Sequence, residues 1–157
     1  MSILIAIESP LQDDVRALIA ALNAHMLTLT PAEFCFHMTA EQMAESDTTV
    51  FIARDNSEAI AMGALRRCGG GIGEVKRMYT KPECQGRGIG GMILAEIETL
   101  ALGEGIGCLV LETGDRHPAA WRVYERGGFS RCGCVLDYPD SIWSVFYEKA
   151  LGVGGVA

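Results

Sequence analysis

The sequence predicts a single α+β domain: a mixed, mostly antiparallel sheet of six to seven strands flanked by about four helices. Three observations carry that expectation. The chain has 157 residues, 49% hydrophobic and 21% charged, a size and balance that let one domain bury a core without staples. Short β-branched runs and stretches of helical apolar spacing follow one another in mixed order. One strand–helix–strand crossover stands between residues 74 and 113, and no repeat, linker or low-complexity segment divides the chain.

The elements follow in order. Ile3 to Ile7 is an apolar run and a first strand. Ser9-Pro10-Leu11-Gln12 has the letters of a capping box, with Asp13 and Asp14 in the first turn and Val15, Leu18, Ile19, Leu22, Met26 and Leu29 at helical spacing. A second box, Thr30-Pro31-Ala32-Glu33, predicts a helix continuing through Met43 to about Glu45. Thr48 to Arg54 and Ala59 to Arg66 flank the turn Asp55-Asn56-Ser57 as a hairpin. Glycines 69, 70, 71 and 73 lead into a strand from Glu74 to Thr80. A glycine-rich turn and a helix with Met92, Ile93, Ala95, Ile97 and Leu100 come next, stopped by Gly103, Gly105 and Gly107. Cys108 to Thr113 reads as a buried strand, and Pro118 opens a last helix closed by Gly127 and Gly128. Phe129 to Leu136 and Trp143 to Leu151 are the final strands, and residues 152–157 read as an unstructured tail.

A net charge of −7 argues against a nucleic-acid binder, which needs clustered Lys and Arg for phosphate contacts. The N-terminus MSILIAIESP has no basic leader region, and no apolar run reaches membrane-spanning length. The expectation is therefore a cytoplasmic protein whose six cysteines are free thiols. The three histidines lie far from the Cys132-x-Cys134 pair, so metal-ligand spacing is lacking and no metal site is expected.

The stretch that carries function runs from Gly73 to Glu104. Its turn, Gln85-Gly86-Arg87-Gly88-Ile89-Gly90-Gly91, opens a helix. Glycines let backbone approach a ligand, and first-turn amides with the positive end of the helix dipole favour an anion. Arg87 adds a positive charge, which makes phosphate or pyrophosphate the natural guest. The letters also fit G-x-G-x-x-G through Gly86, Gly88 and Gly91, with Glu112 about twenty residues on. A dinucleotide site fits poorly, because six residues including Pro82 separate Tyr79 from Gly86. Only 45 residues follow Glu112, too few for a doubly wound sheet. The lysine of a nucleotide P-loop is absent as well.

Gln85, Gly88 and Gly90 make the pattern Q-x-x-G-x-G, which resembles the coenzyme A pyrophosphate signature of the GNAT superfamily of N-acetyltransferases. The preceding E-V-K-R-M-Y-T strand and the later Tyr124 to Phe129 segment, YERGGF, agree with it. The resemblance covers residues 48 to 150 well and the first 47 more loosely.

That resemblance implies a GNAT-like fold and an acetyl group passed from acetyl-CoA to a primary amine of a small molecule or peptide. It places the pyrophosphate on Gln85, Gly86, Arg87, Gly88, Ile89, Gly90 and Gly91. It places the pantetheine arm along the backbone of Tyr79 and Thr80, and the oxyanion at the amide of Met78. Glu74, eleven residues before Gln85, matches a general-base glutamate of some members; the other reading is a glutamate paired with Lys76 or Arg77. Tyr124 matches the tyrosine placed to protonate the departing thiolate, and otherwise packs on its helix face. The Asn that many members carry at the start of the late helix is replaced by Arg116-His117-Pro118, so that contact does not carry over.

The family places the acceptor beside its first two helices, where His25, Phe36 and His37 either touch substrate or pack. Arg66, Arg77 and Tyr138 are candidates to hold an acceptor carboxylate, with solvated surface as the other reading. Family members often form homodimers. A non-catalytic coenzyme A-binding or sensing module and a dinucleotide-dependent oxidoreductase are the competing classes.

Overall fold

In a computed structural model, residues 2–152 are described, so the expected tail lies outside the described residues from position 153 onward. The chain runs β1 (Ile3–Ile7), α1 (Asp13–Leu27), a 3-10 turn (Ala32–Phe34), α2 (Ala40–Met43), β2 (Thr48–Asp55) and β3 (Glu58–Gly69). It continues with β4 (Ile72–Thr80), a second 3-10 turn (Pro82–Cys84), α3 (Ile89–Gly103), β5 (Cys108–Gly114), α4 (Pro118–Arg126), β6 (Ser130–Cys132) and β7 (Ser144–Ala150). The seven strands form one sheet in the order β1-β2-β3-β4-β5-β7-β6. Only the β4–β5 pair is parallel, joined by the crossover through α3.

The strand period sorts the core to two faces. Phe51 and Ala53 of β2 join Leu65, Val75 and the α3 residues Ile93, Leu94 and Ile97 on one side. Val50 and Ile52, the alternate positions, meet Val15, Leu18, Ile19 and Leu22 of α1 and Met43 of α2 on the other. A third cluster, Val110, Val135 and Phe146, closes the far half of the sheet under the loop that joins β6 to β7.

Three expectations are corrected. The Ser9 box does not open α1, which starts at Asp13 after Gln12. Instead the Ser9 hydroxyl accepts from the Leu11 amide and the Gln12 side chain donates to the Ser9 carbonyl, so the same letters build a turn. No long helix spans 30–45. Ala32–Phe34 is a 3-10 turn, residues 35–39 are not helical, and the capping box that forms is Thr39 with Gln42, opening the four-residue α2. The strand expected over 129–136 shortens to Ser130–Cys132 before the chain turns at Gly133. All six cysteines are free.

Candidate active site

The site is made by the way β4 leaves its neighbours. On the β5 side, pairing covers only Ile72–Cys108, Gly73–Leu109 and Glu74–Val110, after which the strands part. On the β3 side, Lys76 pairs with Ala64 and Tyr79 with Met62, so Gly63 faces both Arg77 and Met78. This is a β-bulge, and it removes the Met78 amide from the ladder register. Glycine leaves room there, because a Cβ at Gly63 would stand 2.5 Å from Met78 Sδ and 2.7 Å from Ile93 Cγ2. Arg77 takes up the extra residue with a left-handed backbone, φ 55°.

Beyond β4 the chain makes its 3-10 turn and the glycine turn. Gln85 Nε2 donates to the Thr80 carbonyl at 3.2 Å, tying the turn to the end of the strand. Gly86 and Gly88 have φ of 81° and 77°, and Gly88 is the N-cap of α3. Nothing lies within 4 Å of where a Cβ would be at Gly86, Gly88 or Gly91, so the left-handed backbone, not crowding, calls for glycine at 86 and 88. The first-turn amides of Ile89, Gly90 and Gly91 have no intrahelical acceptor and open onto that space. Ile89 itself is buried and anchors the turn to the core. The donor set and the room around it fit an anionic phosphate group.

The cleft between the parted strands has a volume of about 80 Å³ and is bordered by α1 on one side and α4 on the other. Its lining includes Glu74, Lys76, Arg77, Met78, Glu112, Tyr124 and Tyr138. A wider hollow of about 400 Å³ adjoins it, sharing Phe36 and Lys76 and adding His37, Asp47 and Arg66.

Glu74 is only 1% exposed and sits in a central strand, held by three donors. Arg66 Nη1 lies 3.1 Å from its Oε1, Lys76 Nζ lies 3.5 Å from Oε2, and the Tyr138 phenol donates to Oε2. The pairing with Lys76 is thus present, and Arg66 rather than Arg77 supplies the second cation. Glu112 lies two positions after Val110 on β5 and accepts from the Ser144 hydroxyl at 2.8 Å. Burial pushes its carboxyl above the usual range, with the nearby charge of Glu74 adding to the shift.

Tyr124, on α4, packs between Phe129 and Tyr147 with ring centroids 6.1 and 5.9 Å away. Burial raises its phenol pKa, which keeps it protonated across the neutral range. Tyr124, Met78 and Glu74 therefore line one cleft, while the Gln85 to Gly91 turn lies outside that lining and meets α4 where Gly90 faces Val123, the neighbour of Tyr124. His37 and Phe36 reach the wider hollow, and His25 packs edge-on against His117, ring centroids 5.7 Å apart.

A sequence profile described as the acetyltransferase (GNAT) family matches residues 18–129. The chain belongs to that family. The GNAT profile runs from within α1 to just past α4 and covers the site except for Tyr138 and Ser144, which follow it in the chain. An IAA acetyltransferase of Azospirillum brasilense is 36% identical over 151 residues, covering 96% of this chain and 99% of the relative. A solved structure from Klebsiella pneumoniae, provisionally named an acyl-CoA N-acyltransferase, superposes with a TM-score of 0.81 at 31% identity, covering 95% of this chain and 97% of the other. The PaiA N-acetyltransferase of Thermoplasma acidophilum, solved in complex with coenzyme A, shares the fold with a TM-score of 0.71 at 19% identity, covering 96% and 99%.

Arg77 and Tyr138 were already acceptor candidates, but three features of this GNAT site were not legible in advance: the place of Glu112, the contact of Tyr138 with Glu74 and the burial of Arg77. Glu112 drew notice only as the acid of a dinucleotide motif, although a strand ending CLVLE beside the crossover put it at the parting of β4 and β5. Tyr138 comes from the loop before β7, and nothing local announces its contact with Glu74. The burial of Arg77 follows from the bulge. Among the described residues, no group of three or more His, Cys, Asp or Glu side chains could hold a metal, and no helix is long and apolar enough to cross a membrane.

Proposed function

We propose that this chain transfers an acetyl group from acetyl-CoA to a primary amine of a small molecule or peptide, with both substrates bound together. One observation supports it above the others. The amide cradle at the start of α3 opens beside a cleft that holds a phenol, two carboxylates and the Met78 amide. Acetyl-CoA supplies the activated acyl group.

The residues of the chain would then bind, align and move protons. The amides of Gly86 to Gly91 and the dipole of α3 hold the pyrophosphate, with Arg87 contributing charge. The backbone of Tyr79 and Thr80 pairs with the pantetheine arm as an added strand would. As the N–C bond forms and the C–S bond breaks, the Met78 amide donates to the oxyanion. Glu74 takes the ammonium proton through water, or Glu112 takes it directly, its raised pKa bringing it toward the range where a base works well. The Tyr124 O–H gives its proton to the departing sulfur.

The alternative, a coenzyme A-binding module without turnover, is favoured by one feature: three donors occupy Glu74, as suits a structural carboxylate. A homodimer belongs to the leading reading through family resemblance alone, and a cytoplasmic location through the sequence features given above. The test is a thermal-shift titration with acetyl-CoA, coenzyme A and NAD, followed by coenzyme A release with an amine panel. Melting points raised by both coenzyme A forms and not by NAD, with release of thiol, are expected. Binding without release on any amine would leave the binding module. No shift with either coenzyme A form would overturn the reading of Gln85 to Gly91.

A further inference from the structure

Among the described residues, Arg77 is a buried arginine without a carboxylate partner, unlike four others. Arg16, Arg54, Arg66 and Arg67 each reach a carboxylate, at 2.8, 2.8, 3.1 and 2.6 Å. Arg77 is 7% exposed, and among the described residues no carboxylate lies within 4.0 Å of it. Its Nη2 donates to Oδ1 of Asn23 and its Nη1 lies 3.9 Å from Sδ of Met26, both neutral groups on α1. Its Nε is buried with no partner. Burial lowers its pKa to about 10, with no opposing carboxylate, so it stays a cation at neutral pH. The bulge also holds it in a backbone conformation that arginine disfavours.

A buried charge is normally paired or absent. This one lines the cleft where Glu74, Glu112 and Tyr124 converge. The neighbouring cations cannot take its place, since Glu74 already holds Arg66 and Lys76. A ligand entering the cleft is in a position to supply the counter-charge.

We propose that the acceptor amine carries a carboxylate, and that this carboxylate binds the Arg77 guanidinium. A planar carboxylate suits the donor fork of arginine, and a cleft of about 80 Å³ with one unneutralised cation suits a monoanion better than a phosphate dianion. The acceptor is thus an amino acid or a related amino carboxylate, held with its amine toward the carboxylates of β4 and β5. This rests on the acetyltransferase reading. It narrows the three candidate anion ligands to one, because Arg66 and Tyr138 are committed to Glu74.

The test compares amino acids of increasing amine-to-carboxylate separation with their carboxamides, by coenzyme A release. For at least one pair the carboxylate is expected to show a kcat/KM at least about tenfold higher, mostly through KM, in line with loss of one charge-assisted contact. Arg77→Gln collapses that preference to within about threefold while acetyl-CoA affinity holds, and Arg77→Lys restores part of it. Equal use of carboxylate and carboxamide across the panel by the unmodified protein overturns the proposal, as does an Arg77→Gln protein that keeps the preference. The unmodified-protein comparison decides even where Arg77→Gln does not fold. The same pairs are titrated by thermal shift, with and without acetyl-CoA. A shift with the carboxylates alone supports the anion site even if acetyl-CoA gives none, which would sink only the acetyltransferase reading. No carboxylate-specific shift and no preference in turnover would sink the anion site and leave acetyl-CoA binding standing.

Discussion

The phenol of Tyr138 donates a hydrogen bond to Oε2 of Glu74, joining residues 64 apart in the chain. Lys76 Nζ donates to the same phenol at 2.7 Å, and Phe36 packs edge-on against its ring, 5.5 Å between centroids. The loop before β7 is thereby fastened to the middle of β4. Tyr138→Phe removes the phenol and leaves the ring packing. A loss of about 1.5–3 kcal/mol in urea-measured stability is expected, the range for a hydrogen bond to a charged group. Unchanged stability would mean that Lys76 and Arg66 satisfy Glu74 without it.

Glu112 carries a pH dependence that a single substitution can remove. Burial raises the Glu112 pKa, so between about 4.3, the unfolded value, and its folded value the native state holds the extra proton. Stability therefore falls with rising pH across that window. Glu112→Gln should remove this dependence, and Glu74→Gln should not. If Glu112 is the base, its variant also loses the acidic limb of kcat, while Glu74→Gln retains a limb displaced above the usual carboxylate range.

Tyr124→Phe should lower kcat by about 10²-fold or more, within the range of proton-transfer contributions, and shift acetyl-CoA affinity by less than about threefold. Steady-state kinetics beside calorimetric binding make the comparison. Unaltered turnover would take Tyr124 out of the proton path and leave it as a packing residue.

All four tyrosines, 79, 124, 138 and 147, titrate above the usual phenol value, with burial the largest cause in each. The unfolded phenols ionise near pH ~10 and the folded ones later. Above ~10 the native state holds more protons, so these groups lose their stabilising contribution as pH rises. Arg77, shifted down to about 10, works in the opposite sense but is one group against four. Urea midpoints should fall between pH ~9 and ~11, and phenolate absorbance should appear with unfolding rather than before it. A phenolate signal near pH ~10 in the folded protein would contradict the burial.

Gly63→Ala tests the bulge. The added methyl would press on Met78 Sδ, a movable group, and on the methyl of Ile93, which is fully buried in the core. Overpacking of this kind costs about 1–3 kcal/mol. A lower melting point together with a reduced kcat is expected, because the same methyl displaces the backbone that aims the Met78 amide. An unaltered melting point and kcat would show that the strand absorbs it.

Much of the fold was legible because short apolar, β-branched strand runs and stretches of helical apolar spacing are cut apart by glycine, proline and turn residues. Ile3–Ile7, β4, α3, β5 and α4 lie where apolar period and glycine or proline punctuation placed them. The failures were local contests. Thr30-Pro31-Ala32-Glu33 has the letters of a helix start, yet the Thr30 hydroxyl is buried with no partner and the chain leaves helix after Phe34, carrying Phe36 and His37 to the wider hollow. Glycine turn, phenol and Glu74 were named from short motifs with fixed spacing. Arg77 was not assigned its burial, because a charged residue in a strand ordinarily faces water. Its environment comes from one unpaired residue in a register and from a helix fifty positions earlier, neither of which a local pattern encodes.

The parting of β4 from β5 gives the sheet an edge in its interior. Ordinary sheet edges face solvent and invite other chains to pair, a hazard for any soluble protein. Here the vacant valence of β4 beyond Glu74 lies behind α1 and α4, walled on both faces by helices. The fold thus leaves unpaired strand backbone inside the molecule, with helices over it, rather than at a rim where another chain could add to it.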